Sequence, residues 1–147
     1  ILTNESTEFV LGKAQIFQKG TDVTIISTGP LTFQSLQAAE SFRIENISAE
    51  VINLHTIKPL DVAAILKSVQ KTNCLVTVEE HQLMGGMGSA VVEALVQTYA
   101  APVTEMIGLK DTFGESGTAA ELLTKYQLDT PSIVQAVKKV LKRKRRL

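Results

Sequence analysis

Cysteine occurs once in these 147 residues, at Cys74. No internal disulfide can form, which suits a reducing compartment and leads to an expected cytoplasmic location. No apolar run approaches the ~18 residues that a membrane span needs. No basic start followed by a short apolar stretch marks a secretory signal. Several catalytic signatures are missing as well. There is no GKS or GKT, so no P-loop, and "GMGSAV" has Val91 where a dinucleotide fingerprint places its third glycine. "FGESG" lacks the G-x-S-x-G spacing, so Ser116 is not a nucleophile elbow. Low-complexity linkers and internal repeats are absent, and one domain is the simplest organisation. The first residue is Ile1 and not Met, which leads to the expectation of a piece of a longer chain or a processed one.

Apolar residues make up 44% and the mean hydropathy is slightly positive, as in a globular chain and unlike a disordered one. A chain of this length can bury roughly 70% of its unfolded surface. Net charge is zero but unevenly spread. The last ten residues, "KKVLKRKRRL", hold seven of the fifteen basic groups, leaving eight against fifteen acids in 1–137, a net of −7. An acidic body with a basic end is not the pattern of a nucleic-acid-binding domain. The basic end reads as a solvated helix terminus, favoured by the helix dipole. Division into a lead-in (1–11), a domain (12–142) and a basic tail (143–147) follows.

Apolar, β-branched runs predict strands over 14–20, 22–29, 51–54, 74–80 and 101–109. Helical spacing predicts helices over 31–42, 62–71, 88–100, 117–126 and 130–141. In the first helix, Leu31, Phe33 or Ser35, Leu36, Ala39 and Phe42 share a face; in the third, Ala90, Val91, Ala94, Leu95 and Tyr99 do. Asp61, Ser116 and Thr130 are the expected N-caps of the second, fourth and fifth helices. Strands that are apolar nearly throughout, each followed by a helix, imply a mostly parallel sheet covered on both faces, with right-handed crossovers.

Ligands bind such sheets beyond the carboxyl ends of the strands. The loops there are "STGPL" (27–31), "HTIKPL" (55–60), "EEHQLMGGMG" (79–88) and "GLKDTFGESG" (108–117). They hold both histidines, His55 and His81, with Glu79, Glu80, Lys58 and Ser116, and seven of the nine glycines, among them Gly85, Gly86 and Gly88. "GGMG" ahead of a helix could offer backbone N–H groups to a phosphate, or simply allow tight strand-to-helix packing. Glu79, Glu80 and His81 could serve as acid–base or metal-binding groups, or anchor the loop. Adjacent carboxylates on a strand point to opposite sides, which favours the anchor. Cys74 reads as a core residue. No complete catalytic, cofactor or metal set emerges.

Taken in order, "GKAQIFQKGTDVTIISTG", "AEVINLHTIKPLD", "LVTVEEHQLMGGMGSAV" and "DTFGESGTAAELLTKYQLDTPSIVQAV" resemble the C-terminal domain of transketolases and related thiamine-diphosphate enzymes. The resemblance covers about 12–141. It implies a three-layer α/β/α sandwich on a five-stranded mixed sheet whose first strand is antiparallel to the rest. It implies transfer of two-carbon ketol units between sugar phosphates by the complete enzyme, with thiamine diphosphate and Mg²⁺ held between pyrophosphate- and pyrimidine-binding domains. Neither domain's motifs occur in these residues, so no cofactor is expected in this chain and the fragment alone is expected to be inactive. The expected partners are those domains, on the same chain or a separate subunit, in a homodimer, with neither nucleic acid nor membrane. Glu79, Glu80 and His81 would then orient the glycine loop at a domain interface, together with Gly85, Gly86, Gly88, His55, Lys58 and Ser116. The alternatives are the corresponding domain of a 2-oxoacid dehydrogenase beta chain or a deoxyxylulose-phosphate synthase, or a free-standing phosphate or nucleotide binder. A synthase of that type is expected to carry a histidine near Ser116, where this sequence has none, and "FGESG" leans toward transketolase.

Overall fold

Successive residues of one strand feed two different cores. In β2 (Val23–Ser27), Ile25 packs on one face of the sheet and Ile26 on the other; in β3 (Ala49–Asn53), Val51 and Ile52 divide in the same way, as do Val76 and Leu75 of β4 (Cys74–Gln82). The period of two along a strand makes this unavoidable when both faces are covered, and it explains why these strands read as continuous apolar runs. The computed structural model describes residues 2–98 and 101–146. Its sheet has the order β1-β3-β2-β4-β5, with β1 (Gln15–Gln18) antiparallel to β3 and every other pair parallel, including β5 (Val103–Leu109) on β4.

Helices α1 (Leu31–Ser41) and α5 (Thr130–Lys144) cover one face, where Leu31, Ala38, Ile133, Val137 and Val140 meet Ile25, Val51 and Val76. Helices α2 (Val62–Thr72) and α3 (Met87–Thr98) cover the other, through Ile65, Val69, Val91 and Leu95. Each fully buried aliphatic side chain stabilises by roughly 1.5–3 kcal/mol. The result is the three-layer sandwich on a five-stranded mixed sheet that the sequence implied. On α1 it is Ser35 and not Phe33 that turns inward: the Ser35 hydroxyl donates to the Leu31 carbonyl, and Phe33 stays half-exposed. A 3₁₀ turn, Phe42–Glu45, which the helical spacing did not foretell, follows α1 and buries Phe42.

Caps fix most helix starts. Asp61 Oδ1 accepts from Ala64 N at 3.2 Å as expected, and Oδ2 accepts from Ala14 N, tying α2 to the approach of β1. Two expected caps are displaced. The short α4 (Ala119–Lys125) is capped by Thr118 and not Ser116, because Thr118 and Glu121 form a reciprocal capping box. In α5, Asp129 caps through Ser132 N, which leaves Thr130 inside the helix and Pro131 in its first turn. The basic end is also less solvated than expected. Helix α5 runs on to Lys144, whose ammonium donates to the Thr72 and Asp22 carbonyls, and Arg143 bonds Glu105 and the Thr104 carbonyl. The third helix begins at Met87, and its expected members Tyr99 and Ala100 lie outside the described residues.

Candidate functional site: the carboxyl edge of the sheet

Neighbouring strands β2 and β4 send the chain to opposite faces of the sheet: α1 follows β2 on one face, and α3 follows β4 on the other. Their carboxyl ends therefore flank a crevice, the place where open α/β sheets take ligands. A cleft of about 430 Å³ lies there, lined by Gly29, Lys58, Glu80, His81, Gly85 and Gly86 among others. The fold thus gathers Lys58, Glu79, Glu80, His81, Gly85 and Gly86 around one cleft. His55 is turned instead toward the lead-in segment. Its ring lies 3.9 Å from that of Phe9, Nδ1 is 2.8 Å from Thr56 Oγ1, and Nε2 is buried without a hydrogen-bond partner. Ser116 is exposed on the loop before α4.

The centre of the edge is Glu79. Alternation along β4 turns it inward, 1% exposed, while Glu80 points to solvent. The Glu79 carboxylate accepts from Met87 N at 2.6 Å and from Gly88 N at 2.8 Å, the opening amides of α3. A negative group at a helix N-terminus satisfies orphan N–H groups and sits well in the helix dipole. The other amides of the glycine loop are also taken within the chain: Gly85 N donates to Ser89 Oγ, and Gly86 N to the Leu83 carbonyl. Ser89 in turn donates to the Leu83 carbonyl at 2.6 Å. The expected loop anchor is therefore Glu79 with Ser89. Glu80 takes no part in it, and His81, exposed, reaches only the neighbouring Gln82 carbonyl.

Close approach explains the glycines. A Cβ at Gly86 would lie 2.3 Å from Glu79 Oε2, and one at Gly88 2.5 Å from Thr77 Oγ1. Gly85 turns the chain at φ +78°, a left-handed conformation that favours glycine. Close packing accounts for Gly86 and Gly88, and the left-handed turn for Gly85.

One residue passed over in the sequence joins two loops. Gln82 Nε2 donates to the Thr112 carbonyl and Gln82 Oε1 accepts from Asp111 N, so its amide pins the 110–118 loop to the end of β4. The only available signal was a polar residue two positions past the predicted strand 74–80, which is too common to single it out; the strand itself runs on to Gln82. Cys74 is buried in the core, and burial pushes its thiol up to about 11, which makes it a poor nucleophile. Among the described residues, no group of three or more His, Cys, Asp or Glu could hold a metal ion, and no helix is long and apolar enough to cross a membrane.

Fold and edge together define a three-layer α/β domain in which the helix N-terminus at the sheet's carboxyl edge is filled by the chain's own carboxylate. Comparison with known proteins places it more narrowly. Residues 12–133 match the family described as transketolase, C-terminal domain, and the chain belongs to that family. It is 41% identical over 143 residues to a 6-deoxy-6-sulfo-D-fructose transketolase subunit of Clostridium sp., covering 97% of this chain and 44% of that one. A putative transketolase C-terminal section of Methanocaldococcus jannaschii is 40% identical, over 95% and 43%. A 1-deoxy-D-xylulose-5-phosphate synthase of Desulfitobacterium hafniense is 41% identical, over 97% and 23%. A solved structure described as a split gene transketolase, inactive beta4 tetramer, superimposes with a TM-score of 0.91 at 37% identity, over 97% of this chain and 46% of that one. The chain thus spans less than half the length of these relatives.

Proposed function

We propose that this chain is the C-terminal assembly domain of a transketolase that moves two-carbon ketol units between sugar phosphates, and that it performs no chemistry alone. The observation that carries this reading is the filled helix N-terminus: all four amides of residues 85–88 are bonded within the chain, two of them to Glu79. The residues present do not fit thiamine diphosphate. A diphosphate would have to displace a buried carboxylate from the one glycine-rich turn suited to it. On this reading the cofactor and Mg²⁺ are held by pyrophosphate- and pyrimidine-binding domains, whether on the same chain or a separate subunit. The complete enzyme is a cytoplasmic homodimer.

The test is complementation. Ketol transfer is measured for the purified chain with thiamine diphosphate and Mg²⁺, then after mixing with a polypeptide carrying the two other domains. Activity only in the mixture is expected. Transfer by the chain alone, or a mixture with neither binding nor activity, overturns the proposal. Because a synthase relative is as similar as the transketolase subunits, the assay includes pyruvate with glyceraldehyde 3-phosphate as well as ketose donors.

A further inference from the structure

The sheet ends in two edge strands that differ in kind. At one edge, β1 has four residues, and its register with β3 shifts between Ile16 and Gln18. Short length and irregular pairing are how sheets blunt an edge against further strands. At the other edge, β5 has seven residues, and Val103 to Ile107 pair with β4 one for one. Along a strand in a parallel ladder, residues alternate in whether their N–H and C=O groups face one neighbour or the other. The Leu109 carbonyl accepts from Leu83 N at 3.0 Å and so faces β4, whereas the Thr104 carbonyl accepts from Arg143 of α5 at 2.9 Å. Alternation then turns the amides and carbonyls of Thr104, Met106 and Gly108 away from β4, and no strand lies beyond them. Beside this edge runs a groove of about 280 Å³ between β5 and α5, lined by Met106, Gly108, Lys110, Tyr126, Gln135 and Lys139 among others.

We propose that this groove takes an extended, acidic segment of a partner polypeptide as a sixth strand. A row of alternating N–H and C=O groups is satisfied by another extended backbone, and a helix alongside gives the side chains of that backbone a wall to meet. Charge selects the segment. The odd-numbered residues of β5 face α5: Val103 and Ile107 join the core there, and Glu105 bonds Lys139 at 2.8 Å and Arg143 at 2.6 Å. Lys110, at the end of the groove, reaches the Gln127 amide oxygen at 3.5 Å. Three cations thus surround one carboxylate, and an added strand that turns carboxylates toward α5 meets the excess. Its alternate side chains fall on the opposite face, beside Met106, whose tip reaches toward Gly88 of α3, and apolar residues suit that side. The same excess of cations disfavours β5 of a second copy, because antiparallel pairing would bring Lys139 and Arg143 toward their own images. The inference stands apart from the ketol-transfer reading above.

A fluorescent peptide of alternating glutamate and valine tests it, by anisotropy and by amide exchange followed by NMR. The peptide should bind, and exchange at Thr104, Met106 and Gly108 should slow. Two further peptides carry methyl groups on every glutamate nitrogen or on every valine nitrogen. One of the two presents its methyl groups to the edge and should bind at least about tenfold more weakly, since it loses strand hydrogen bonds and keeps every side chain. Lys110→Glu should weaken binding of the parent peptide by about two- to fivefold, the scale of one exposed charge pair, with the melting temperature unchanged. Absence of binding by the parent peptide overturns the proposal. Methylated peptides that both bind like the parent overturn it too, because charge attraction alone would then explain the complex, and so does a Lys110→Glu chain that binds like wild type. Exchange at β5 that slows with rising concentration of the chain alone makes a second copy the occupant and overturns it. A chain that binds the peptide at β5 but fails to restore ketol transfer in the mixture refutes the transketolase reading and leaves this one standing.

Discussion

Replacing Glu79 by Gln changes two atoms' chemistry and almost no volume, so it isolates the carboxylate at the start of α3. The side chain is buried and accepts at 2.6 and 2.8 Å from Met87 N and Gly88 N. A glutamine can keep one of these contacts through its carbonyl. Its NH₂ group then faces the other amide, donor against donor, and one buried N–H is left without a partner. Hydrogen bonds to a charged group contribute about 1.5–3 kcal/mol, and an unsatisfied buried donor costs about 1–3 kcal/mol. Loss of the charge–dipole attraction adds up to ~1 kcal/mol. A destabilisation of about 3 kcal/mol is expected, which at this chain length lowers the melting temperature by roughly 6–12 °C. Urea unfolding followed by circular dichroism measures it, with Glu80→Gln as the exposed control, expected within about 0.5 kcal/mol of wild type. A Glu79→Gln protein as stable as the control would mean that the carboxylate does not hold the loop, and the assembly reading would lose its main support.

Three further outcomes are expected. Burial and the bonds of Glu50 oppose one another: burial raises its carboxyl, but bonds from Lys71, Ser68 and Gly20 N outweigh this and hold it below its ordinary value of 4.5. A lowered folded-state value stabilises above the ordinary value and is lost as pH falls through the folded one, so Glu50→Gln should be less stable than wild type near pH 7, and the gap should narrow as pH falls below the ordinary value of 4.5 in acid titrations of stability. Cys74, raised to about 11 by burial, should resist an aromatic disulfide reagent at about pH 8 in the folded chain and react at once in denaturant; immediate labelling of the folded chain would contradict its place in the core. His81→Ala should leave the melting curve of the chain nearly unchanged, within about 0.5 kcal/mol, because the ring is exposed and bonds only the next carbonyl; a larger loss would show a structural role that these contacts do not contain.

The central strands were legible because both faces of the sheet are covered, which makes runs such as Val23–Ser27 and the start of Cys74–Gln82 apolar nearly throughout. Helix bodies were legible from their stripes, and Ile133, Val137 and Val140 are buried as the spacing requires. The caps were harder. Asp129 and Thr130 both suit a cap, as do Ser116 and Thr118, and the choice falls to the residue whose side chain reaches an N–H two or three positions on. The site was half legible. Glycines and titratable groups marked the carboxyl edge, and alternation separated Glu79 from Glu80. The bond from Glu79 to Met87 and Gly88 depends on how the glycine loop doubles back, and no periodicity encodes that. Gln82 escaped for the same reason, since its partners are 29 and 30 residues away in sequence.

The same four elements that make a parallel α/β edge a good ligand site are present here: a switch point, a glycine turn, a helix N-terminus and nearby cations. What differs is that the negative charge comes from within. A carboxylate fixed at 2.6–2.8 Å from two helix amides competes with any incoming phosphate at every concentration, because it is tethered to the strand beneath. Its presence also lets the loop hold its shape without a ligand, so the outer surface, with Lys58, Glu80 and His81 around the cleft and Phe113 beyond it, stays ordered for contact with other polypeptide. An edge whose helix amides are already satisfied from the inside has little left to offer a small anion there. That physical asymmetry, beside the family membership, is what supports the proposal that this chain performs no chemistry alone.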